Sequence, residues 1–179
     1  MKFAFLKNPV FRFLVLFILL YASWYVTYET VINPYGRLDS LVINASVYAT
    51  DHLLKFLGYS TFTTTAQTIR VVGIDGTHGL WIGDPCDGIT LFALFSAFIL
   101  AFPGPWRHKS WFIPTGIAGI FTLNVLRIAA LCLIVKYKPS LLEVNHDYIF
   151  KILVYAFIFW FWIVWVKQFS GLKKIKSST

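Results

Sequence analysis

The sequence predicts an all-α integral membrane helical bundle, with about four transmembrane helices, an extracytoplasmic amphipathic helix and a short β-hairpin. Three observations predict it. Of the 179 residues, 58% are hydrophobic and 13% are charged, about half the charged share of a soluble domain, and mean hydropathy is +0.68. Aromatic residues make up 19%, and Trp and Tyr favour the two bilayer interfaces. Four segments hold the roughly 20 mostly apolar residues that a membrane-crossing helix needs. The expected organisation is one polytopic domain over residues 1–169, with no room for a separate soluble domain, and a polar basic tail over 170–179.

The first span is expected over 9–32, with Phe13 to Tyr28 free of charge. A basic start precedes it and no small-residue cleavage site follows, which reads as a retained signal anchor. Residues 33–84 form an extracytoplasmic insertion. In its first part Leu38, Leu41, Val42, Ala45, Ala49, Leu53 and Phe56 recur at helical spacing. Asp39, Asn44, Ser46, Thr50, Asp51 and Lys55 fill the rest, the pattern of an amphipathic helix lying on the membrane or packing on the bundle. Thr and Val dominate the second part, and Asp75-Gly76 is a hairpin turn signal. Strands are expected at 67–73 and 77–82, resting on the bundle because a lone hairpin is marginal.

The remaining spans are expected at 85–102, 110–135 and 149–166. Basic residues in short loops favour the cytoplasm. Lys2, Lys7 and Arg12 precede the first span, Arg107 and Lys109 separate the second and third, and Lys167, Lys173, Lys174 and Lys176 follow the last. All fall inside if there are four spans and both termini are cytoplasmic. The acidic residues then lie at or beyond the outer face. The net charge of +8 is thus a topology signal, and no nucleic-acid partner is expected. The two cysteines, Cys86 and Cys132, suggest no disulfide framework.

This topology brings three polar residues to one face. Cys86 stands at the outer end of the second span, in Asp84-Pro85-Cys86-Asp87-Gly88. Arg127 stands 16 residues past Trp111, about 24 Å along a helix that starts at the inner face. His146 precedes the last span. Asp84 suits a helix cap and Pro85 the first helical position. Cys86 then falls in the first turn, where the helix dipole stabilises a thiolate. Arg127 or a protonated His146 adds to that effect, and Asp84 and Asp87 oppose it. Gly88 leaves space for a substrate backbone.

Each residue also has a plain structural role open to it. Cysteine in an apolar helix is commonly a small core residue, which is the expectation for Cys132. Arginine near a helix end can extend to headgroups, although an ionisable residue within a span is a functional candidate by default. Asn124, three residues before Arg127, can hold the guanidinium, bind a substrate amide or join two helices. His52 and His78 compete with His146, while His108 lies on the other side. A metal site from Cys86, His78 or His146, and Asp84 matches no standard zinc spacing. No metal or cofactor is expected.

Pro85-Cys86-Asp87-Gly88-Ile89, Asn124-Val125-Leu126-Arg127-Ile128, and His146-Asp147 before a Trp-rich last helix resemble the exosortase/archaeosortase family. Its pattern is a Cys followed by a small polar residue and Gly, an Asn-x-x-Arg-Ile stretch, and a His opening the final helix. The match runs from Gly83 to Trp165 in a compact form, with Asp87 where Ser is common. The resemblance implies a membrane cysteine peptidase and transpeptidase, with Cys86 as nucleophile, His146 as general acid/base and Arg127 as electrostatic partner. Asn124, Asp87, Gly88 and Asp147 would support them. The implied substrate is an exported protein whose C-terminal sorting signal holds a short motif, a transmembrane helix and a basic cluster. The implied acceptor is a surface glycan or lipid. The substrate helix is expected beside the small residues Gly116, Ala118 and Gly119, with membrane lipid around the bundle. The rival reading is a non-enzymatic assembly or transport subunit in which Arg127 holds a partner helix.

Overall fold

The computed structural model describes residues 8–35, 37–65, 70–83 and 88–170. It is a helical bundle carrying a small sheet at one end. Three helices are long and apolar enough to cross a membrane: Pro9–Ile32, Trp106–Tyr137 and Phe150–Phe169. The first comprises α1 (Pro9–Thr27) and a π-helical turn at Tyr28–Ile32. Asn8 caps it, its side chain accepting from the Val10 amide at 3.0 Å, and Pro9 takes the first helical position, where its missing N–H costs nothing. The Trp106–Tyr137 helix is α4, and the last comprises α6 (Phe150–Val164) and Trp165–Phe169.

The second predicted span differs. Its helix, α3 (Ile89–Ala101), has 13 residues, about 20 Å against a hydrocarbon core of roughly 30 Å. Gly88 caps α3 in the left-handed conformation (φ 83°), so the helix starts four residues later than expected. Asp84, Pro85, Cys86 and Asp87, including the expected cap and first-turn cysteine, lie outside the described residues.

One apolar core joins α3, α4 and α6 through Phe95, Ile99, Phe112, Ile120, Val154, Ile158 and Trp165. Trp162 stacks on Phe98 at 4.1 Å. Helix α1 attaches at its edge through Phe13 against Phe98 and Phe102, and none of its residues is buried. The glycines of α4 serve this core. A Cβ at Gly116 would stand 2.2 Å from the Phe95 ring, and one at Gly119 would stand 2.9 Å from Phe157. Both are thus taken up by internal packing. Of the small residues expected to receive a substrate helix, Ala118 alone lines an outward groove, with Leu41, Ala45 and Phe121.

The second core lies beyond the first along the same helix. At 32 residues, α4 is about 48 Å long, and its far half carries Ile128, Ala129 and Cys132 into a cluster with the sheet and α2 (Arg37–Phe56). The sheet is antiparallel in the order β1-β2-β3, with β1 at Thr61–Thr65, β2 at Arg70–Ile74 and β3 at Leu80–Trp81. The turn forms at Asp75-Gly76, where Gly76 has φ 83°. The second strand of the hairpin, Leu80–Trp81, is shorter than the expected 77–82, positions 67–69 of the first lie outside the described residues, and β1 is a strand the sequence reading missed. Its Thr-Phe-Thr-Thr-Thr sequence has one large apolar residue, so alternation gives no signal. Phe62 nonetheless anchors it. A Cβ at Gly73 or Gly79 would come within 2.9 Å of the Phe62 ring, so these glycines open the slot that the ring fills.

Helix α2 spans the expected residues. Its inward face is Asp39, Ile43, Ser46, Val47, Thr50, Asp51 and Leu54. Leu38, Leu41 and Phe56, from the apolar stripe expected to meet the membrane or the bundle, are exposed. Three polar contacts tie α2 to its surroundings, while the Ser46 and Thr50 hydroxyls and one Asp39 oxygen are buried without a hydrogen-bond partner among the described residues. Tyr28 donates a hydrogen bond to Asp39, Thr61 donates to Asp51, and Arg70 donates to Ser40 at 2.6 Å.

Asp51 makes this layer sensitive to acid. Burial raises its carboxyl pKa, but the hydrogen bonds from Lys55 (2.8 Å) and Thr61 and the Lys55 charge outweigh burial and lower it overall. A depressed aspartate adds stability above its unfolded pKa, and that stability is lost as pH falls through the folded value. The melting temperature in detergent is expected to drop on acidification below about pH 4, with Asp51→Asn flattening that part of the profile. An unchanged profile in Asp51→Asn would contradict this tie between α2 and β1.

Candidate active site

Arg127 stands where the two cores meet. It lies 21 residues into α4, about 32 Å from the helix start, directly before Ile128 of the second core. It is half-buried, and its Nε is buried without a hydrogen-bond partner. An unpaired guanidinium nitrogen facing protein is costly, so this arginine is set up for an incoming acceptor. Asn124, 5% exposed, lies one turn earlier on the same face.

His146 comes from the segment that turns the chain from α4 into α6. After the 3-10 turn Pro139–Leu141 and the short α5 (Leu142–Val144), the backbone widens to a π-helix at Asn145–Ile149. Such π segments often mark functional sites. Here it lies in the turn that brings His146 to the bundle. Asn145 donates to the Leu141 carbonyl at 2.8 Å, which holds that turn.

Arg127 and His146 together line two cavities. One, of about 490 Å³, lies toward the sheet and is walled by Leu80, Trp81, Gly83, Leu131 and Glu143. The other, of about 380 Å³, lies toward the bundle core and is walled by Gly88, Thr90, Asn124, Lys151 and Tyr155. The helix cap of α3 and the polar residues of α4 and the final turn therefore share one space. Cys86, Asp87 and the side chain of Asp147 lie outside the described residues. In sequence Cys86 stands two residues before Gly88, which is on the cavity wall.

The competing residues are elsewhere. His52 packs its ring on Tyr48 at 4.2 Å, and His108 packs on Phe169 at 5.2 Å. Neither they nor His78 line these two cavities. Cys132 is 2% exposed in the second core and donates to the Val72 carbonyl at 3.6 Å, the structural role expected of it. Among the described residues no group of three His, Cys, Asp or Glu side chains is placed to hold a metal ion.

The sequence reading missed Thr90, Trp81, Glu143 and the pair Lys151 and Tyr155. Lys151 and Tyr155 are four residues apart on α6, five and nine residues past His146, and this spacing was the one signal that pointed to them.

Residues 3–166 match the family model described as transmembrane exosortase. No curated protein and no solved structure matches the chain.

Proposed function

Because the chain belongs to the transmembrane exosortase family, we propose that it is a membrane cysteine peptidase and transpeptidase that cuts the C-terminal sorting signals of exported proteins. A role in membrane protein sorting follows from the family. The observation that carries the finer reading is the shared space of Arg127, His146 and Gly88, with Cys86 two residues from that glycine.

In this reading the Cys86 thiolate attacks the scissile carbonyl carbon. The carbonyl π electrons move onto oxygen, and Arg127 stabilises that oxyanion. The oxyanion collapses and the C–N bond breaks. His146 gives a proton to the departing amine, leaving a thioester on Cys86. An acceptor nucleophile on a surface glycan or lipid, or water, then attacks the thioester and loses its proton to His146. Cys86 leaves as thiolate and the cycle closes.

The basic clusters support cytoplasmic termini and an extracytoplasmic site. The short α3 supports a reacting centre recessed below the outer surface, since 13 residues reach only about two thirds of the way across the hydrocarbon core. A substrate whose motif runs directly into a transmembrane helix suits that depth.

Co-expression with an exported reporter ending in a motif, a transmembrane helix and a basic cluster tests the reading. Cleavage just ahead of the helix, with a hydroxylamine-sensitive adduct on Cys86, is the expected result. An intact reporter across a panel of such signals would overturn it.

A further inference from the structure

Among the described residues strand β3 has one strand partner, β2. Val71 pairs with Trp81 and Val72 with Leu80, and the Ile82 amide donates to the Arg70 carbonyl at 2.9 Å. Polar groups of successive strand residues point to opposite edges. The N–H and C=O of Trp81, between Leu80 and Ile82, therefore point away from β2. Among the described residues no strand pairs with that edge.

That edge borders the larger of the two cavities at the candidate site. Residues 79–83 form one wall, and Arg127, Leu142 and His146 face them. Trp81 is 64% exposed, and the outer edge of its indole reaches Gly83, where an added Cβ would stand 2.3 Å from the ring. Gly83 thus lets a large aromatic surface lie at the rim beside the free backbone groups.

We propose that this edge is the substrate's docking strand. An extended segment of the sorting signal, just ahead of its transmembrane helix, adds to the sheet along β3 through the Trp81 backbone and lays its scissile bond between Arg127 and His146. The proposal rests on the peptidase reading above and names how that site takes its substrate. Peptide is the occupant that fits. An added strand supplies partners to both the N–H and the C=O of an edge residue, and a lipid chain supplies neither. The Trp81 ring then gives apolar area to one side chain of the bound segment.

Strand pairing has period two, and this makes the test. A synthetic sorting-signal peptide is N-methylated at each motif position in turn and cut by the full-length protein in proteoliposomes. Positions whose amides face β3 are expected to lose roughly five-fold in kcat/KM, the worth of one hydrogen bond, alternating with positions that lose little. On the protein, Trp81→Pro deletes the donor on an edge that tolerates proline, and is expected to lose about five-fold more than Trp81→Ala. Cleavage with no alternation, and with the two Trp81 variants equal, overturns the docking strand alone. If the unmodified peptide is not cut at all, the peptidase reading itself fails.

Discussion

Cys86→Ala is expected to abolish processing of a sorting-signal reporter while the protein accumulates in the membrane at the parental level. Removing the nucleophile of a coupled catalytic set costs about 10⁴-fold or more in kcat, enough to take cleavage to background. Cys86→Ser separates chemistry from packing, because it keeps nearly the same volume. Serine lacks the accessible thiolate, so it is also expected to fall to background. Cys132 supplies the contrast. It is buried beside Ile128 and Ala129, and Cys132→Ala should lower the melting temperature with kcat retained. A Cys86→Ala protein that still cut the reporter at the parental rate would remove the nucleophile from the proposal, and the non-enzymatic subunit would become the better reading.

Arg127 carries the second large effect. Arg127→Gln is expected to lower kcat by about 10²–10³-fold with little change in KM, the signature of a group that meets charge only as the reaction proceeds. Its folding cost should be small, since the buried Nε has no hydrogen-bond partner to lose. Arg127→Lys keeps the charge but not the planar fork of donors, so partial recovery is expected. The rival role, a strut between helices, predicts the reverse: a lower melting temperature in Arg127→Gln and an activity loss that follows the loss of folded protein. Measuring kcat, KM and thermal stability of both variants in the same detergent decides between them.

Much of the site was legible because it is tied to helix ends and helix phase. Asn124 and Arg127 are one turn apart on α4, and any helix through them puts both on one face. His146 was legible as the polar residue ahead of an apolar run. The orientation of α2 was not, because its inward face mixes Ile43, Val47 and Leu54 with Asp39, Ser46, Thr50 and Asp51. Leu38, Leu41 and Phe56 look like a packing stripe in one dimension. The side with Asp39 and Asp51 packs inward through Ile43, Val47 and Leu54, and Tyr28 and Thr61 hydrogen-bond to its two aspartates. Strand β1 was illegible for a similar reason. A row of threonines signals a strand only when Gly73 and Gly79 leave room for the Phe62 ring.

By itself the sequence determined that this chain is a membrane bundle, that nine of its sixteen Lys and Arg residues group at three loops or ends, and that Cys86, Arg127 and His146 are its notable polar residues. Hydrophobic length and charge are local properties, and they add along the chain without knowledge of contacts. Tertiary structure alone decided that α3 has only 13 residues, that α4 runs on to join two cores, and that β3 borders the space lined by Arg127 and His146. Those outcomes depend on which surfaces meet, because burial and hydrogen-bond satisfaction are properties of pairs of segments and not of either segment alone.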